Sequence, residues 1–292
     1  MGIYMQRENK ISAWLLTGYV SLCIHSSNTP AAPVSGFLGT SPAVLSEPSA
    51  GNLDWGDNTA NNADDTSVYA PFSQIALTNN GDTITLSGQV TLLGMNSLTN
   101  RDDQFRWGLY NVNGSANLTN WLGYFASNDT SSNVAGGTFR ERINPNSNIF
   151  SSLTGANTLV TTTNSVTELL NSTLYKFDLS LTRTVAGLNY FAEFMSSSNS
   201  VINSFTGTDT TVSTYTFDRV GFLSGGNLNA DQLQLRNVDV SFTPATTSTP
   251  VPEPSPVLLL PLGLALLKTG GRRNTTGQAL RTFPLSLSVP KP

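Results

Sequence analysis

Three groups of side chains in this 292-residue chain have types and spacings that could do chemistry. The first is Trp55-Gly56-Asp57-Asn58, followed by Asn61, Asn62, Asp64 and Asp65. Carboxylate and amide oxygens gathered in one loop suit Ca²⁺, which takes six to eight oxygen ligands. Asp57, Asn58, Asp64 and Asp65 are therefore candidate calcium ligands, although the spacing is not that of an EF-hand. The alternative is an Asx-rich loop whose side chains bond their own backbone. The second group is Arg106, Tyr110, Trp121 and Tyr124. Sugar rings stack on aromatic faces while guanidinium groups bond hydroxyls, and half-wet surfaces suit Trp and Tyr. The alternative is that Trp121 and Tyr124 pack a core or an edge. The third group is Arg140-Glu141-Arg142. In a strand the two arginines share one face and Glu141 takes the other. Paired guanidiniums could hold a uronate carboxylate, or could belong to a solvated strand edge.

Other chemistries are excluded by residue usage. The only cysteine, Cys23, and the only histidine, His25, lie in an N-terminal segment with the features of a cleaved leader. Without them there is no disulfide, Cys nucleophile, Cys/His zinc site or histidine-based triad. Phosphate-cradling glycine loops are absent. So is the E-x-D-x-x-E arrangement of many jelly-roll glucanases. The Arg140–Arg142 segment resembles an Arg-Glu-Arg motif of alginate-lyase-like jelly rolls. That family's Gln-Ile-His and Tyr-Phe-Lys-Ala-Gly strands are missing here, and so is its histidine. A lyase would have to use a tyrosine base such as Tyr110, Tyr124 or Tyr190.

The elements that must carry these residues read as strands. Ile84, Leu86, Val90 and Leu92 alternate with polar neighbours, as do Phe105, Trp107 and Leu109. Alternation puts Arg106 and Tyr110 on the opposite face from Phe105, Trp107 and Leu109, where they could line an open groove. Tyr175, Phe177, Leu179 and Leu181, followed by Leu188, Tyr190, Ala192 and Phe194, predict a hairpin with Ala186-Gly187 at its apex. Leu233 and Leu235 are out of phase with Val238, Val240 and Phe242, which predicts a bulge at Arg236-Asn237. The best short helix candidate is Asn164–Leu170. The pattern predicts an all-β, antiparallel two-sheet jelly-roll sandwich of ten or more strands over residues 34–245. In general look it resembles the concanavalin-like sandwiches of lectins, laminin-G-like modules and some polysaccharide lyases.

Both ends read as addresses. Arg7 and Lys10 precede the apolar run Ile11–Ile24, and small residues and prolines follow from Ser26 to Ser35. This is the order of a secretory signal, assigned here to residues 1–33. At the other end come a polar linker, Val251-Pro252-Glu253-Pro254-Ser255, an apolar stretch to Leu267, and Lys268, Arg272 and Arg273. Residues 246–273 thus resemble a linker plus the PEP-CTERM sorting signal of Gram-negative bacteria. That resemblance implies processing by an exosortase, a transient inner-membrane intermediate held by a short hydrophobic helix, delivery to the cell surface or medium, and a link to exopolysaccharide and biofilm. The twelve residues Pro256–Leu267 span about 18 Å as a helix, short of a hydrocarbon core of roughly 30 Å, which fits transit better than residence. Residues 274–292 form a polar tail outside that pattern.

Charge completes the reading. Residues 34–250 carry a net charge of −9, and 57 Ser and Thr with 26 Asn make them polar through hydroxyls and amides. Such a body is repelled by phosphates, which excludes a nucleic-acid role. The expectation is a non-enzymatic, exported binding or structural module in contact with polysaccharide. Two rivals stay open: a polysaccharide-active lyase or hydrolase on the same fold, and a self-assembling surface protein.

Overall fold

The computed structural model describes residues 29–40, 43–57, 66–95, 105–115, 118, 120–128, 136–143, 155–162, 169–225 and 230–246. They lie in the unit Met1–Thr246, which is separate from Thr247–Pro292. Among the described residues every regular element is a strand, and no helix is long and apolar enough to cross a membrane.

Two antiparallel sheets are formed. The first runs in the order β13 (Val201–Asp209), β12 (Gly187–Ser196), β11 (Leu174–Thr184), β6 (Thr83–Leu93), β15 (Gln232–Thr243), β4 (Asn52–Asp57) and β3 (Ala43–Ser49), with β1 (Thr29–Pro33) also on β15. The second runs β10 (Ala156–Thr161), β9 (Thr138–Arg142), β8 (Leu122–Asn128), β7 (Phe105–Asn111), β14 (Thr216–Ser224), β5 (Ser67–Ala76) and β2 (Leu38–Gly39). Neighbours that are distant in sequence, such as β6 beside β15, give the crossed connections of a jelly roll. The expected fold class is therefore observed.

The core follows from the alternation. Ile84, Leu86, Val90 and Leu92 of β6 are fully buried, as are Phe177, Leu179 and Leu181 of β11. They meet Phe105 and Trp107 of β7 and Phe222 of β14, with Trp107 5.6 Å from the Phe194 ring and Phe105 5.7 Å from Phe177. Burying each such ring stabilises the fold by about 2 kcal/mol. Phe177 stands opposite Gly88 on β6, and a Cβ there would come within 2.4 Å of its ring. Only glycine lets the ring lie flat on the neighbouring strand.

The predicted bulge is present. The β15 register shifts between Arg236 and Asp239, and Asn237 has φ 51°. One boundary differs from expectation. The β11–β12 register closes at Thr184 and Gly187, so the turn residues are Val185 and Ala186 and Gly187 already belongs to β12. Strand β1 is built from Thr29–Pro33, the last five residues of the expected leader, and pairs with β15 from Thr29 opposite Phe242 to Pro33 opposite Asp239. Of the helix candidate, Leu169 and Leu170 are not helical, and residues 164–168 lie outside the described residues.

Candidate binding face

Of the aromatic and arginine residues expected at a binding surface, Tyr110 and Trp121 instead join a second, smaller core, Arg106 is buried beside it, and Tyr124 belongs to the main core. Arg106 and Tyr110 do project from β7 away from Trp107, but that face is covered: Arg106 is 5 % exposed and Tyr110 2 %. Tyr110, Trp121, Phe125 and Leu223 pack together there, joined by Tyr69, Val112, Leu118 and Ala156. Trp121 meets Tyr69 edge-on at 5.3 Å and Tyr110 at 6.2 Å, and the Arg106 guanidinium lies 6.0 Å from the Phe125 ring centre. Gly108 and Gly123 make room: a Cβ at Gly108 would meet the Tyr124 carbonyl oxygen at 2.6 Å, and one at Gly123 the Leu109 carbonyl oxygen at 2.3 Å. Burial pushes the Tyr110 phenol up, although Arg142 and Arg106 act against it.

On β9 the strand geometry holds while the exposure does not. Arg140 and Arg142 share the outer face and Glu141 points inward. Arg142 is fully buried, with Nε donating to the Trp121 carbonyl oxygen at 3.1 Å. Arg140 is half-buried and donates to Thr138 Oγ1 at 3.1 Å. Burial pulls both guanidiniums below their ordinary value. No open pair of arginines is presented to a uronate.

Tyr124 points into the sandwich, not out of it. Its hydroxyl lies 2.7 Å from Asp209 Oδ2 and 3.1 Å from Glu141 Oε1. The Ser213 main-chain N–H donates to the same Glu141 oxygen at 2.6 Å, and Thr211 donates to Asp209 Oδ1. Tyr124, Glu141 and Asp209 are all buried. Burial raises the Glu141 carboxyl above its ordinary value, and the Asp209 charge adds to this against the Ser213 and Tyr124 hydrogen bonds. A phenol has one proton to give. Asp209 Oδ2 is its nearer acceptor and Glu141 Oε1 the farther one. The cluster pins the 209–214 loop to β9.

The open polar surface lies on the first sheet. Its outward residues form rows across the strands, fixed by register. Thr83, Thr182, Asn189 and Thr208 stand side by side on β6, β11, β12 and β13. The next row is Thr85, Ser180, Phe191 and Thr206, and the row after it is Ser87, Asp178, Glu193 and Ser204. Thr83 and Thr182 hydroxyls lie 2.9 Å apart, Thr208 Oγ1 donates to Asn189 Oδ1 at 2.7 Å, and Ser204 Oγ donates to Glu193 Oε1 at 3.3 Å. Phe191 is 40 % exposed. It sits in a shallow depression of about 270 Å³ with Ser180, Thr182, Asn189, Thr206 and Thr208.

An aromatic face ringed by pre-ordered hydroxyls and an amide can stack a sugar ring and bond its hydroxyls. The larger cleft, about 590 Å³, lies between β1 and β15 on one side and β5 on the other. Its walls are mainly apolar, including Pro33, Val34, Phe72, Ile75 and Phe242, and it offers less to a polar ligand.

None of the face residues Ser180, Thr182, Asn189, Phe191, Thr206 and Thr208 was singled out by sequence. A signal existed: Phe191 is an aromatic in the polar phase of a strand whose Leu188, Tyr190, Ala192 and Phe194 already fill the apolar phase. Asp57 ends β4, while Asn58, Asp64 and Asp65 lie outside the described residues, as do Val251–Ser255, Lys268, Arg272 and Arg273 with the expected C-terminal helix. Among the described residues, no group of three or more His, Cys, Asp or Glu could hold a metal ion.

No family model and no curated protein matches the chain. Solved structures do resemble it. Peanut lectin with a nine-residue peptide matches at 10 % identity over 73 % of this chain and 100 % of that one, with a TM-score of 0.43. Arcelin-5, a lectin-like defence protein from Phaseolus vulgaris, matches at 12 % over 72 % and 93 %, with a TM-score of 0.48. Lectin UEA-II complexed with galactose matches at 10 % over 74 % and 99 %, with a TM-score of 0.47. At this identity the likeness concerns architecture only.

Proposed function

We propose that the protein is an exported module that binds polysaccharide on the outer face of its first sheet. The observation that carries this reading is Phe191, an exposed ring set among Ser180, Thr182, Asn189, Thr206 and Thr208 on a rigid sheet. A sheet face presents such groups at fixed spacing, so little ordering cost falls on binding. Binding is favoured over catalysis by the state of the candidate lyase bases. Tyr110, Tyr124 and Tyr190 are all buried, and burial pushes each phenol above its ordinary value.

The leader-like N-terminus and the Val251–Arg273 segment, with its resemblance to the PEP-CTERM signal, support export and exosortase processing. Extracellular polysaccharide is the partner this route would supply. The test is retention of the purified protein on the producing cell's own exopolysaccharide, with polymer length followed in the same sample. Retention without shortening agrees with the proposal. Shortening of the polymer replaces it with an enzyme, and the absence of both removes glycan contact.

A further inference from the structure

The outer face of the first sheet carries a charge pattern as well as hydroxyls. In the row next to Phe191, Asp178 on β11 stands directly opposite Glu193 on β12. In the same row Asp239 of β15 faces Ser87, which in turn faces Asp178. Three carboxylates therefore share one line across the strands. Directly opposed like charges in a sheet are destabilising on their own. Burial raises the Asp178 carboxyl above its ordinary value and the Glu193 charge adds to it.

Two cations flank this line. Lys176, two residues from Asp178, directs Nζ to Asn199 Oδ1 at 2.7 Å, while still lowering the Asp178 value somewhat. Arg236 is paired with Asp54 at 2.5 Å. Asp178, Glu193 and Asp239 thus outnumber the cations beside them, Lys176 and the Asp54-paired Arg236, in a body that carries −9.

The spacing says what would supply that charge. Asp178 and Glu193 are one step of two residues along their strands from Ser180 and Phe191, a distance of about 7 Å. A pyranose ring stacked on Phe191 spans that distance with its ring substituents. A single multidentate metal ion is a poor fit, because no group of three or more acidic, Cys or His side chains converges among the described residues. A polymer that carries one ammonium per residue fits better, since each charge can meet a separate carboxylate. Sugars that carry carboxylates are disfavoured, because Arg142 is buried and Arg140 half-buried on the other sheet.

We propose that the ligand of this face is an amino-sugar polysaccharide, a glucosamine-type polymer whose ring stacks on Phe191 and whose ammonium groups sit against Asp178 and Glu193. This rests on the binding face proposed above and names the chemistry it selects. It reverses the sign that the arginine pair suggested, from acidic to basic glycans.

The experiment compares three oligosaccharides of equal length on the full chain by calorimetry: a glucosamine oligomer, its fully N-acetylated form and a uronate oligomer. The proposal expects the glucosamine oligomer to bind about two- to five-fold tighter than the acetylated one, the worth of one half-exposed ion pair. The preference should shrink as salt rises, and the uronate should bind weakest. Glu193→Gln should abolish the preference, so that the free and acetylated oligomers bind equally. That variant removes a like-charge repulsion, so folding is retained, and an unchanged or raised Tm confirms it. Equal affinity of the free and acetylated oligomers, or a preference that survives both Glu193→Gln and Asp178→Asn, overturns the amino-sugar assignment and leaves the glycan-binding reading standing. Failure of all three to bind overturns both.

Discussion

The indole N–H of Trp107 donates to the main-chain carbonyl oxygen of Asp178 across the sandwich at 3.0 Å. One residue thus joins the centre of the second sheet to the strand whose outward side chains form the candidate binding face. The surface of the first sheet is held from below by the core. Trp107→Phe loses this hydrogen bond and some filled volume. It should lower the unfolding free energy by about 1–2 kcal/mol in urea titration, with glycan retention by the folded protein unchanged.

Stability and binding should separate cleanly between the two aromatic clusters. Trp121 is buried, so Trp121→Ala should cost about 3–5 kcal/mol. Phe191 is 40 % exposed, so Phe191→Ala should cost less than about 1 kcal/mol. Thermal unfolding of the two variants side by side checks this. A Phe191→Ala protein as unstable as Trp121→Ala would mean that Phe191 is a structural residue.

Glu141 gives a pH dependence with a definite sign. Its native carboxyl is raised above the unfolded value, so the native state holds the proton longer than the unfolded chain. Stability is then full below the ordinary glutamic acid range and declines as pH rises through the raised native value. Glu141→Gln keeps an acceptor for Ser213 and the side-chain shape without the titration. Its unfolding free energy should be flatter over that window, as measured by urea midpoints at several pH values. An identical slope in the two proteins would show that Glu141 is ionised in the fold.

Asp82 has the opposite sign. It is buried, and burial alone would raise its carboxyl, but main-chain donors from Ala245, Asn79 and Thr78 outweigh that and leave it lowered. Its contribution is present above the ordinary aspartic acid value and is lost as pH falls through the depressed native value. Asp82→Asn should cost about 2–3 kcal/mol at neutral pH, and the difference from wild type should narrow in acid. The contact with Ala245 also fastens the chain just beyond the end of β15.

Strand β1 bears on the proposed export. Thr29–Pro33 pair with β15, so a leader cut at Val34 would remove a strand from the sheet. The mature N-terminus is expected among Ser26–Asn28, read by mass spectrometry of the exported protein. An N-terminus at Val34 or beyond would show that β1 is absent from the mature fold.

The legible part of the fold was the part governed by one buried face. On β6, β11 and β12 each apolar phase matches a buried row, and the bulge at Arg236-Asn237 follows from a phase change in β15. The site was misread where a strand is buried on both faces. The runs Phe105–Asn111 and Leu122–Asn128 carry apolar or aromatic residues in both phases, with Gly108 and Gly123 inside them. That combination signals a doubly covered strand, but alternation alone assigns one phase to solvent. What covers the face, chiefly Trp121 and Leu118 from beyond β7, is a long-range fact that no local pattern carries. The true candidate face was hidden for a related reason: its Thr, Ser and Asn residues are individually ordinary, and only the register brings them together around Phe191.

The most direct test is the affinity of wild-type and Phe191→Ala protein for the producing cell's exopolysaccharide, measured by co-sedimentation at matched, verified folding. The account predicts that wild type sediments with the polymer and that Phe191→Ala loses about three- to ten-fold in affinity, in the range of one lost stacking contact. Equal sedimentation of the two proteins would contradict it, since the ligand would then be held somewhere other than the outer face of the first sheet.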